Sequence, residues 1–238
     1  MKALRFHARG VATVDDVDEP KLVDGWTIVA PTFTGICGTD VKQYRYGPFG
    51  ISQEPHPLSR AQLPLTLGHE IGGVIVETSS SDPRLVAGAR VAVDSAVKCG
   101  ACWYCQHGHY ILCERGAILG ISAHGGLAEL VAVPNYALHP VPDELTDEEV
   151  ALAEPVSVAI HAVRRLRLQA GDSVCIVGGG VIGLSIMQAA RACGARSVGV
   201  VEPIPERRSL ALELGADFAV APPAPDDDPD AQAAINAR

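Results

Sequence analysis

The chain has 238 residues, 47% of them hydrophobic and 20% charged, and a formal net charge of −9. That length and balance fit one large or two ordinary globular domains and exclude an intrinsically disordered chain. No apolar run is long enough to span a bilayer, and the negative charge without a long basic run argues against a nucleic-acid backbone as partner.

The opening MKALRFHARG has no apolar signal core and no small-residue cleavage site, so a reducing, cytoplasmic setting is expected for the seven cysteines. Up to about residue 140 the chain reads as β structure with loops. GWTIVA, EIGGVIVE, ARVAVD and GLAELVAV are short, rich in β-branched residues and punctuated by Gly, Pro and Asp. Between the last two lies VKCGACWYCQHGHYILCE, which places Cys99, Cys102, Cys105 and Cys113 within fifteen residues as C-x2-C-x2-C-x7-C. Two disulfides would need an oxidising compartment. A tetrahedral zinc with four sulfur ligands suits the short spacers, and zinc is the reading adopted. Cys175 and Cys193 sit in apolar stretches and are expected as small core residues.

From Thr146 the periodicity changes. Thr146 and Glu149 form a capping box opening a helix at TDEEVALAE, and Pro155 suits the first turn of a second helix through VSVAIHAVRRL. Then follow strand SVCIVG, helix IGLSIMQAARAC, strand RSVGVVE, helix PERRSLALEL closed by Gly215, and the short run DFAVA. This is a βαβαβ unit with parallel strands. A Pro- and Asp-rich tail is expected from about residue 221.

Gly178, Gly180 and Gly183 make G-x-G-x-x-G directly after a strand and at the opening of a helix. In that setting the glycines serve a tight turn, the approach of backbone to pyrophosphate, and helix–strand packing. Val181 and Ile182 complete the turn, whose helix N-terminus suits phosphates. Glu202, nineteen residues past Gly183, ends the second strand, where a carboxylate accepts from ribose hydroxyls and repels a 2′-phosphate. NAD is therefore favoured over NADP, a preference softened by the nearby Arg207 and Arg208. Four further residues have metal-ligand chemistry: Cys37 in GICGTD, His69 and Glu70 in LGHE, and Glu154 before Pro155. Each alone has a structural reading. Together, beside a closed zinc site and a nucleotide motif, they point to a second metal.

The set GICGTD, LPLTLGHE, the four-cysteine lobe, GGLAELVAVP, AEPVSVAIHAV and VGGGVIG followed by VVEP resembles the zinc-dependent medium-chain alcohol dehydrogenases, from Met1 to about Ala219. EPHPLSRAQLPLTLGHE further resembles the 2,3-butanediol dehydrogenase branch, with sorbitol and threonine dehydrogenases near it. The resemblance implies a GroES-like β-barrel catalytic domain with a zinc lobe over residues 1–152, followed by a partial Rossmann NAD-binding domain over 153–238. It implies a structural zinc at the four cysteines and a catalytic zinc held by Cys37, His69 and Glu154. Glu70 would be a further ligand or would exchange with water, and Thr39 would begin the proton relay. The implied reaction moves hydride between a secondary alcohol or vicinal diol and NAD, and intact relatives form oligomers. Lys42 stands near where relatives often carry a histidine, which leaves the relay exit open, and His56 is a candidate polar neighbour or a surface histidine.

Only the first half of a six-strand dinucleotide fold is visible, so a truncated product with impaired activity is expected. The alternative is a catalytically silent zinc-binding fragment. A zinc-free reductase of the same superfamily is disfavoured by Cys37, His69 and Glu154.

Overall fold

The computed structural model describes residues 1–50 and 54–223. The expected Pro- and Asp-rich tail lies, from residue 224 onward, outside the described residues. The chain divides into two compact units, Met1–Glu154 and Pro155–Arg238.

The first unit is an antiparallel half-barrel. Its main sheet contains β3 (Trp26–Gly35), β5 (Glu70–Thr78), β6 (Arg90–Val93), β9 (Val131–Pro134) and β10 (Leu138–Pro140) in the order β10-β6-β5-β3-β9. A smaller sheet sets β1 (Lys2–Ala8) between β2 (Val11–Asp16) and β4 (Leu65–Thr66). The β1–β2 hairpin lies at a stretch without a clear sequence signal. The expected strand GLAELVAV keeps only its C-terminal part in β9, although Ala128 still bridges to Ala3. The pair β7 (Ala96–Val97) and β8 (Ala117–Ile118) closes the base of the cysteine lobe, which carries the short helix α2 (Trp103–Gln106).

Val29, Ile71, Ile75, Val91 and Val133 form the main core of this unit. The N-terminal half of β5 is buried on both faces because two glycines admit neighbouring backbone. A Cβ on Gly73 would run into the Ala30 carbonyl of β3, and one on Gly72 would sit 2.8 Å from the Ala151 nitrogen. Ala151 ends α3 (Asp147–Ala151), which opens on the expected capping box: Thr146 Oγ1 accepts from the Glu149 amide, and the Glu149 carboxylate accepts from the Thr146 amide. Helix α1 (Gly38–Tyr46) follows β3 after the short link 36–37, with Cys37 as its N-cap.

The helix α4 (Ala153–Leu166) carries Pro155 in its first turn. In the second unit β11 (Ser173–Val177), β12 (Ser197–Val201) and β13 (Phe218–Val220) form a parallel sheet in that order, an incomplete Rossmann fold. Their crossovers are α5 (Val181–Ala192) and α6 (Pro205–Glu213). Met187, Ala190, Val198, Val200 and Ala211 are its fully buried centre. Cys175 and Cys193 are exposed, contrary to the expectation of core packing. Cys175 and the 85% exposed Val177 lie on the open face of β11, the sheet's edge strand, and Cys193 caps the end of α5. No described helix is long and apolar enough to cross a membrane.

Gly72→Ala is expected to lower unfolding stability by about 1–3 kcal/mol, since the added methyl meets backbone that cannot move aside. Urea denaturation of the two proteins measures it; an unchanged midpoint would refute the packing account.

Candidate metal centre and nucleotide turn

The antiparallel register of β3 and β5 pairs Gly35 with Glu70. Cys37, two residues past the end of β3, is thereby brought beside His69, the residue before β5. One ligand atom each from Cys37, His69 and Glu70 lies within 4.8 Å of the other two. Gly35 is required here, because a Cβ at that position would occupy the space of the Glu70 carboxylate. His69 and Glu70 are both buried.

Burial pushes the Cys37 thiol up, and the Glu70 charge adds to that rise against hydrogen bonds from Thr39. Glu154, half-buried in the first turn of α4, is also pushed up, first by burial and then by Glu70 and Asp94, while His69 opposes the rise. Glu154 thus feels the cluster electrostatically, although it is not among the three residues whose ligand atoms group together. Thr39 Oγ1 lies 3.7 Å from Cys37 Sγ.

Sequence reasoning missed Asp40. Its Oδ2 accepts from the Cys37 amide at 2.9 Å, and its Oδ1 lies 3.8 Å from His69 Nδ1. Asp40 Oδ1 and His69 Nδ1 are both buried without a hydrogen-bond partner. Burial raises the Asp40 carboxyl, against the amides of Cys37 and Gly68 and the charge of His69. A carboxylate facing one ring nitrogen in this way is placed to orient an imidazole whose other nitrogen serves a metal. The signal that could have found Asp40 is its place three residues after an N-cap, the position that reaches back to the cap amide.

Lys42 is exposed. His56 is half-buried, and its Nδ1 accepts from the amides of Leu58 and Ser59, so it holds a turn.

The four lobe cysteines converge as well, each half-buried and each a free thiol. Cys99 and Cys105 sulfurs stand 4.0 Å apart, and those of Cys102 and Cys113 3.9 Å apart. A disulfide would need about 2.05 Å. A tetrahedron with Zn–S bonds of about 2.3 Å has edges of about 3.8 Å, so the spacing fits four sulfurs around one zinc. Amides of Ala101 and Cys102 draw the Cys99 thiol down to about 6, whereas burial pushes Cys105 up to about 12. Such thiols ionise together only around a cation. The lobe is tied to the sheet by Lys98, whose ammonium lies 4.4 Å from the ring centres of both Tyr110 and Tyr136.

In the second unit each glycine of the turn has a different demand on it. Gly178 has φ +106°, which disfavours side chains, and a Cβ on Gly183 would collide with the Gly178 carbonyl. A Cβ on Gly180 would meet nothing within 4 Å, so no packing within the protein requires glycine there. Its bare backbone leaves room at the N-terminus of α5, which begins at Val181 and lacks a side-chain cap. Glu202 is buried, and its carboxylate accepts from the Gly179 amide at 2.6 Å and the Ile204 amide at 3.0 Å. Those bonds, Ile204 first, hold its pKa below the usual carboxylate range. Arg207 is exposed, and Arg208 donates to the Glu202 carbonyl.

Residues 23–143 match the alcohol dehydrogenase GroES-like domain, and residues 181–238 match the zinc-binding dehydrogenase family. The chain belongs to the zinc-dependent medium-chain alcohol dehydrogenases. It is 38% identical over 221 residues to the (R,R)-butanediol dehydrogenase of Bacillus subtilis (strain 168), covering 91% of this chain and 62% of that relative. The crystal structure of 2R,3R-butanediol dehydrogenase from Bacillus subtilis superposes with a TM-score of 0.85 at 38% identity, over 99% of this chain and 67% of that one. A zinc-binding dehydrogenase from Sinorhizobium meliloti 1021, bound to NADP, gives 0.83 at 36% identity, over 94% and 63%. The chain thus spans about 62% of the length of the curated relative.

Asp40→Asn is expected to weaken metal retention at Cys37 and His69 by roughly 10–100-fold while leaving the cysteine lobe loaded. Competition with a chromophoric chelator reads this; equal retention at both sites would contradict an orienting role for Asp40.

Proposed function

We propose that this protein is a zinc-dependent oxidoreductase transferring hydride between a secondary alcohol or vicinal diol and NAD. The observation that carries the proposal is the convergence of half-buried Cys37 with buried His69 and Glu70, with Glu154 close enough to feel the charges of His69 and Glu70. Soft sulfur, imidazole and carboxylate form a donor set that zinc accepts, so the residues present fit that ion. Cys37, His69 and Glu154 would hold it, with Glu70 as a further ligand or exchanging with water. Zinc there supplies a Lewis acid that draws a substrate hydroxyl toward ionisation, and the nicotinamide supplies the hydride acceptor.

The chain's own groups then have distinct tasks. Thr39, beside Cys37, receives the hydroxyl proton and starts its passage outward. Asp40 orients His69. The cysteine lobe, with a second zinc, is structural. Among the turn residues, Gly178 and Gly183 shape the backbone, Gly180 leaves open space, and Gly180, Val181 and Ile182 at the N-terminus of α5 would hold a pyrophosphate through their amides.

Glu202 uses one acceptor position on each oxygen for Gly179 and Ile204, and a carboxylate has about four. The remainder can take ribose hydroxyls and would repel a 2′-phosphate, which supports NAD. The exposed Arg207, with Arg208 beside it, would give a 2′-phosphate cations to meet, in keeping with a neighbour that binds NADP. The diol substrate class rests on the likeness to butanediol dehydrogenases.

The test is NADH formation from 2,3-butanediol, expected in the zinc-loaded protein and lost in Cys37→Ser. Formation that persists in Cys37→Ser would refute the catalytic site. In NADH fluorescence titration, Glu202→Ala is expected to raise Kd at least tenfold; an unchanged Kd would remove the basis for cofactor choice.

A further inference from the structure

Away from the metal cluster, the first unit contains a cavity of about 420 Å³ between the β1–β4 sheet and β9. None of Cys37, His69, Glu70 or Glu154 lines it. Its wall is largely apolar, with Trp26, Leu119, Leu130 and Val131 among the lining residues. Into this wall comes one strong cation, Arg5 of β1.

The Arg5 side chain is incompletely matched. Its Nε is buried without a hydrogen-bond partner, and one terminal nitrogen donates to the Pro64 carbonyl. Among the described residues Arg5 forms no ion pair. Asp15 acts on it at a distance, but the Asp15 carboxylate is occupied by His7 at 2.8 Å and Thr13 at 2.7 Å. Burial therefore lowers the Arg5 pKa, which marks a cation short of compensation.

A second donor stands beside it. In the β1–β4 register Arg5 pairs with Thr66, and the Thr66 amide donates to His124 Nδ1 at 3.3 Å. That bond puts the proton of a neutral His124 on Nε2. Burial and the Arg5 charge both lower the His124 pKa and favour this neutral form. Of the other charged groups lining the cavity, the Met1 ammonium donates to the Val17 carbonyl and Asp18 is an exposed carboxylate of opposite sign. The net excess is the Arg5 charge.

We propose that this cavity is a second ligand site, for a small carboxylate carrying a short apolar tail, with Arg5 as the anchoring cation and His124 as a second donor. A planar guanidinium recognises a carboxylate through paired hydrogen bonds, and a cavity of this size with apolar walls and few polar groups suits a small molecule. The proposal is independent of the alcohol site.

The probe is hexanoate, titrated calorimetrically into the full zinc-loaded chain beside hexanamide and inorganic phosphate. Saturable hexanoate binding is expected, at least tenfold tighter than either comparison compound. Arg5→Gln should weaken it at least tenfold. Ala132→Phe, which fills the cavity and keeps Arg5, should do the same, so that a misfolded Arg5 variant does not decide the matter. No hexanoate binding, equal binding of hexanamide or phosphate, or full binding by Ala132→Phe would each overturn the proposal.

Discussion

The chemistry of the first unit depends on one constraint, the antiparallel register in which Gly35 of β3 faces Glu70 of β5. A slip of one residue would send every side chain of β5 to the other face. In the observed register the chain end leaving β3 delivers Cys37 to the start of β5, where His69 and Glu70 emerge buried. Glycine at position 35 leaves the Glu70 carboxylate its room, and Gly72 and Gly73 let α3 and β3 close over the same strand. The sheet's packing and the proposed metal site therefore depend on the same strand pair.

That arrangement has an electrostatic consequence. Cys37, Asp40 and Glu154 are all shifted toward their neutral forms, with burial the leading cause in each case. Such groups ionise together in a low-dielectric interior only when a cation compensates them. In the proposed site one divalent ion would do this, with Asp40 facing His69 as its outer support. The cysteine lobe follows the same logic at its four sulfurs, held to the sheet through Lys98 and Tyr136.

Much of this was legible in the sequence because it depends on spacing along the chain. The four lobe cysteines, the capping box at Thr146 and Glu149, and the βαβαβ order from Ser173 are local patterns, and the structure contains them. The roles of Gly35 and Asp40 were not legible, because they exist only once two distant strands pair and place a carboxylate against an imidazole. Helix α1 was not legible because it opens on Gly38, Thr39 and Asp40, which are weak helix formers. Cys175 misled for a different reason. An apolar strand reads as buried on both faces, whereas one face of the edge strand β11 is exposed among the described residues.

The central claim is that one chain holds two zinc ions in chemically different settings. Anomalous diffraction on crystals of the zinc-loaded chain, measured on both sides of the zinc absorption edge, tests it most directly. The account predicts two peaks, one among the sulfurs of Cys99, Cys102, Cys105 and Cys113, the other among the side chains of Cys37, His69 and Glu154. A single peak confined to the cysteine lobe would contradict it.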